Sequence, residues 1–141
     1  MNYSELIQLY FERSNALQAY WTLYVVIVGG LLAFSSLRKQ SATLTTLIVS
    51  ILFALFAYEN LDAIQATGAH RRATLEVIKA SEGTAGDVSR ARQQLEPTLQ
   101  PASAAATART HLISDALTIA ALWAMELRRR KYGAAPNSVT L

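Results

Sequence analysis

Four side chains have types and positions that could do chemistry together: Glu59, Asp62, His111 and Asp115. His111 and Asp115 lie four residues apart, on one face of a helix and within hydrogen-bonding reach, and Thr118 extends the stripe. The chain layout argued below brings Glu59 and Asp62 to the same depth. Three carboxylates and one imidazole suit a divalent cation or proton transfer. The competing reading is structural, with Asp115 paired to His111 or Arg109 while Glu59 and Asp62 are simply interfacial. A divalent cation at this cluster is the only cofactor the residues leave open.

Those positions depend on the elements that carry them. The 141-residue chain is 52% hydrophobic and 16% charged, high and low respectively for a soluble domain of that size. No Asp, Glu, Lys or Arg occurs from Ser14 to Leu37, nor from Gln40 to Tyr58. Crossing a bilayer takes roughly 20 mostly apolar residues, so each run can span. Two adjacent helices apolar all round would need far more chain than this to cover them in a soluble fold. Glu5, Glu12 and Arg13 precede the first run, unlike the basic start of a secretory signal. The absence of cysteine excludes disulfides and thiolate chemistry.

The pattern predicts an all-α integral membrane protein with three transmembrane helices in one domain, residues 1–141. An interfacial helix is expected over 2–15, where Tyr3, Leu6, Ile7, Tyr10 and Phe11 share a face. Span 1 follows over 16–37, with Tyr20, Trp21 and Tyr24 as an aromatic belt. The short connection "RKQSA" makes span 2, over 41–58, its antiparallel neighbour in a tight hairpin. Residues 59–109 form an external helical projection with a turn near 81–86, span 3 covers 110–127, and 128–141 is a basic tail.

Charge orients the chain. With three crossings, Arg38 and Lys39 share a side with Arg128, Arg129, Arg130 and Lys131, and only Glu126 opposes them. In the 59–109 segment, Arg71, Arg72, Lys79, Arg90, Arg92 and Arg109 are matched by Glu59, Asp62, Glu76, Glu82, Asp87 and Glu96. The positive-inside rule therefore places the C-terminus in the cytoplasm and the N-terminus outside, in a bacterial-type inner membrane or a plasma membrane. A surface-lying last helix is the alternative, and it would leave the basic tail outside.

Gly29 and Ala33 in span 1, with Thr46, Ser50 and Ala54 in span 2, recur at spacings that let helix backbones approach closely in lipid. Arg71 and Arg72, and Arg128, Arg129, Arg130 and Lys131, are candidate contacts for anionic lipid. No phosphate-loop, dinucleotide, metalloprotease or nucleophile-elbow motif occurs. Nucleic acid is not an expected partner, because the excess cations flank the membrane.

In the order of its three spans and its basic cytoplasmic tail the chain is similar to one class of phage holins. That likeness is of topology alone, and the long external segment departs from their short loops. The expected function is a non-enzymatic membrane protein that self-associates or serves as an accessory subunit of a larger membrane complex. The alternatives are a homo-oligomeric pore lined by Thr43, Thr46 and Ser50 or by the Asp115 stripe, and a metal-dependent membrane enzyme.

Overall fold

The computed structural model describes residues 3–80, 93–94 and 96–133. Within them the chain is all-α: α1 (Tyr3–Leu37), α2 (Thr43–Ala80), a 3-10 turn (Glu96–Thr98) and α3 (Ala104–Gly133). The turn expected near 81–86 and the tail from residue 134 lie outside the described residues.

The expected interfacial helix and span 1 are one unbroken helix. No Gly or Pro separates them, and Ser14 Oγ donates to the Tyr10 carbonyl at 3.0 Å, so its hydroxyl does not compete with the backbone ladder. The second span likewise runs past Tyr58 to Ala80. Helix α3 starts where Ser103 Oγ accepts from the Ala106 amide at 3.1 Å, an N-cap just after Pro101. At 1.5 Å per residue the helices are about 52, 57 and 45 Å long, each longer than the roughly 30 Å of hydrocarbon in a bilayer.

The three helices touch pairwise. Helices α1 and α2 are antiparallel over their full length, since Tyr24 packs on Phe53 near one end and Leu6 and Tyr10 pack with Leu75 and Ile78 at the other. Helix α3 runs back beside both, and its Ile119 adds to the Tyr24–Phe53–Ala57 cluster. Leu99 closes the far cluster, and its carbonyl accepts from Tyr10 Oη at 2.7 Å.

Helices α1 and α2 are long and apolar enough to be membrane spans, and only 11% and 28% of their apolar windows are buried within the chain. A core helix of a soluble protein would be mostly covered. Helix α3 does not reach the same hydropathy, because Ser114, Asp115, Thr118 and Glu126 interrupt its apolar residues. Its outward side is nonetheless apolar, with Leu112, Ile113 and Leu117 exposed alongside Val25, Val26, Leu44, Leu52 and Leu55 of the other helices.

Of the five small residues expected to pack helix on helix, two face the interior and three face outward. Thr46 and Ser50 are buried in the bundle, whereas Gly29, Ala33 and Ala54 are exposed, and a Cβ added at Gly29 would meet nothing within 4 Å. The hairpin packs through Tyr24, Phe53 and Ala57 instead, which turns the Gly29 face outward.

The far cluster generates a prediction. Ile78 is completely buried, so Ile78→Ala should cost about 2–5 kcal/mol locally. Amide exchange should quicken around Leu6, Tyr10 and Leu75 while the Tyr24–Phe53 region keeps its protection.

Candidate functional site

The inward stripe of α3 reads His111, Asp115, Thr118, Leu122 and Glu126, at spacings of four, three, four and four. Such spacing keeps one face toward α1 and α2, and two polar networks form along it about 22 Å apart by helix rise.

The first network joins all three helices. His111 is completely buried, with Nδ1 2.9 Å from Asp115 Oδ2 and Nε2 3.1 Å from Asn60 Oδ1. Tyr24 Oη donates to Asp115 Oδ1 at 2.8 Å, and Asn60 Nδ2 donates to the Tyr20 carbonyl at 3.2 Å. The Tyr24 and Trp21 rings lie 4.3 and 5.6 Å from the imidazole, centroid to centroid, and flank it, while the Asp115 side chain is partly exposed.

The His111–Asp115 pair follows from the i, i+4 spacing, but the four-residue cluster does not assemble. Glu59 and Asp62 lie on exposed faces of α2, and the α2 residue that reaches His111 is Asn60. Both imidazole nitrogens are already occupied by protein oxygens, which leaves no open lone pair for an ion. Among the described residues no group of three His, Cys, Asp or Glu side chains could hold a metal.

The second network surrounds Glu126, whose side chain has no exposed surface. Its Oε2 lies 3.3 Å from Arg129 and 3.8 Å from Arg38, and its Oε1 lies 3.8 Å from Arg130. Thr46 and Thr43 donate their hydroxyls to the same carboxylate at 3.2 and 3.4 Å, and Arg130 also reaches Thr43. Arg129 then donates to the Ser35 carbonyl at 2.6 Å and to its hydroxyl at 3.3 Å, so the end of α1 is held too. Sequence reasoning missed this site. The available signal was that Glu126 stands alone among six flanking cations.

The remaining candidates are divided. Arg71 stacks over the Tyr10 ring at 5.5 Å and donates to Ser14 at 3.4 Å, so it serves the α1–α2 contact. Arg72 is half-buried. Arg128, over the Tyr132 ring at 5.9 Å, and Lys131 are exposed. An open cleft between the ends of α1 and α3 is bounded by Lys39, Arg128, Arg129 and Tyr132. Thr46 and Ser50, expected as a conduit lining, are turned into the bundle, and Ser50 donates to the Thr46 carbonyl at 2.8 Å.

No family model matches the sequence. No curated protein and no solved structure matches it either.

Removing a buried carboxylate strands the cations packed against it. Glu126→Ala should destabilise the bundle by about 3–5 kcal/mol, whereas Glu76→Ala, which breaks the exposed pair with Lys79, should cost at most about 0.5 kcal/mol. Reversible unfolding in mixed micelles, followed by helix content, measures both.

Proposed function

We propose that the chain is a three-span membrane protein without enzymatic activity, which acts by associating through its lipid-facing surface with other copies of itself or with a larger membrane complex. The observation that carries this reading is the distribution of side chains. Ser35, Thr46, Ser50, Asn60, His111, Thr118 and Glu126 are buried, while Val25, Val26, Leu44, Leu52, Leu55, Leu112, Ile113 and Leu117, drawn from all three helices, are exposed. A protein surrounded by water buries the second set and exposes the first; one surrounded by lipid must satisfy its polar groups internally.

The same distribution supports α3 as the third span. Its polar residues face α1 and α2, so hydropathy averaged around the helix understates how apolar its outer side is. The cations Arg38, Lys39 and Arg128 to Lys131 favour a cytoplasmic C-terminus and an external N-terminus.

Three helices enclose a narrow interior, and within it Thr46, Ser50 and Thr118 hydrogen-bond to neighbours of the same chain. Those hydroxyls are unavailable to line an axis between copies, and this favours an association module over a pore. The exposed Gly29 and Ala33, one turn apart on α1, offer a surface that another helix backbone can approach closely.

Crosslinking in native membranes tests this reading. Gly29→Leu should weaken crosslinks to another copy or to a partner by about tenfold or more while leaving the bundle folded. Leu32→Ala should have little effect, and Ser50→Leu should disrupt the bundle itself. Crosslinks unchanged by Gly29→Leu would contradict association through this face.

A further inference from the structure

The hydrogen bonds around His111 specify how many protons the site must hold. Asn60 sits between a backbone carbonyl and the imidazole. A carbonyl can only accept, so the NH2 of Asn60 must face Tyr20 and its Oδ1 must face His111. Nε2 of His111 therefore carries a hydrogen and donates it to Asn60 at 3.1 Å. A neutral imidazole with its hydrogen on Nε2 has a bare lone pair on Nδ1, and that lone pair points at Asp115 Oδ2 at 2.9 Å. With Asp115 ionised, two lone pairs would meet at the fully buried imidazole, which the Tyr24 and Trp21 rings flank. The hydroxyl of Tyr24 does not relieve this, because it donates to the other carboxylate oxygen, Oδ1.

We propose that His111 and Asp115 form a single-proton binding site, in which one proton held between Nδ1 and Oδ2 lets His111 keep its bond to Asn60 of α2 while Asp115 keeps its bond to Tyr24 of α1. The ligand is the proton. On binding, a neutral imidazole and a carboxylate become either an imidazolium–carboxylate pair or an imidazole–carboxylic acid pair, and the net charge of the site goes from minus one to zero. A neutral site suits a segment in lipid, where an uncompensated charge is costly. The groups that face the pair are few. Helix α1 contributes the Tyr24 hydroxyl, α2 contributes the Asn60 amide, and α3 supplies both members. The charged residues nearest in sequence, Glu59, Asp62 and Arg109, are on exposed faces. Loss of the proton sets Nδ1 against Oδ2 within α3 and Nε2 against Asn60 for the other tautomer. Either way, one hydrogen bond of the network breaks: the His111–Asp115 link within α3, or the His111–Asn60 link that ties α3 to α2.

This inference is independent of whether copies associate, and spectroscopy of the full-length protein in bilayer discs tests it. Nitrogen-15 labelling of histidine reports on His111 and on His70, which lies on an exposed face and serves as an internal reference. In the folded wild type at neutral pH, the site shows either two protonated ring nitrogens on His111, or one together with an infrared band for protonated Asp115. In Asp115→Asn the new amide donates to Nδ1. The second ring N–H and the carboxylic acid band are then both lost while the bundle stays folded. A folded wild type with one ring N–H on His111 and an ionised Asp115 overturns the proposal, and so does an Asp115→Asn protein that keeps His111 doubly protonated. If Asp115→Asn fails to fold, the wild-type spectra decide alone.

Discussion

Burial of the Glu126 carboxylate is the constraint on which the rest of the bundle depends. A charge without exposed surface persists only when ion pairs and hydrogen bonds compensate it. Here that compensation comes from all along the fold: Arg38 in the connection just after α1, Thr43 and Thr46 in the first turn of α2, and Arg129 and Arg130 of α3 itself. Satisfying one carboxylate thus fixes where the hairpin connection sits and how α3 is rotated. Once α3 is rotated that way, helix periodicity turns Leu122, Thr118, Asp115 and His111 inward as well, and the His111 network follows from the Glu126 network.

On the membrane reading proposed above, the bundle from one network to the other follows a logic different from that of a water-soluble bundle. Lipid tails are as apolar as leucine, so apolar side chains gain little by leaving the bundle surface, and association relies on packing and on polar contacts. The interior accordingly has Tyr24, Phe53, Ala57 and Leu122 as packing groups and uses Ser, Thr, Asn, His and Glu to set register. Beyond the His111 level, α1 and α2 continue as a pair closed by Leu6, Tyr10, Leu75, Ile78 and Leu99, a small core of the ordinary kind. The packing therefore differs along the axis, as the proposed membrane-embedded and projecting parts require.

How much of this was legible in the sequence depended on the range of the interaction. The charge-free runs from Ser14 and from Gln40 marked α1 and α2, and the spacing of His111 and Asp115 marked their pair, because both are local patterns. The continuity of α1 through Ser14 was less visible, since amphipathic and apolar segments look like separate elements until the backbone is traced. Tyr24 and Asn60 carried no local signal, as their roles arise only when α3 packs against them. Gly29 and Ser50 looked alike as small residues, yet the position of bulky Tyr24 and Phe53 turned one outward and the other inward. In sequence Glu126 is a lone acid among basic residues, although that cluster is partly arranged around it.

The absence of cysteine makes one experiment direct, because every introduced thiol is the only one. Single cysteines at Arg109 and Lys131 flank the inward stripe of α3, and a membrane-impermeant thiol reagent reports the side on which each lies. If all three helices cross, the thiol at 109 reacts only from the outer face and the thiol at 131 only from the cytoplasmic face. Reaction of both from the same face would show that α3 lies along the surface, contradicting the three-span bundle.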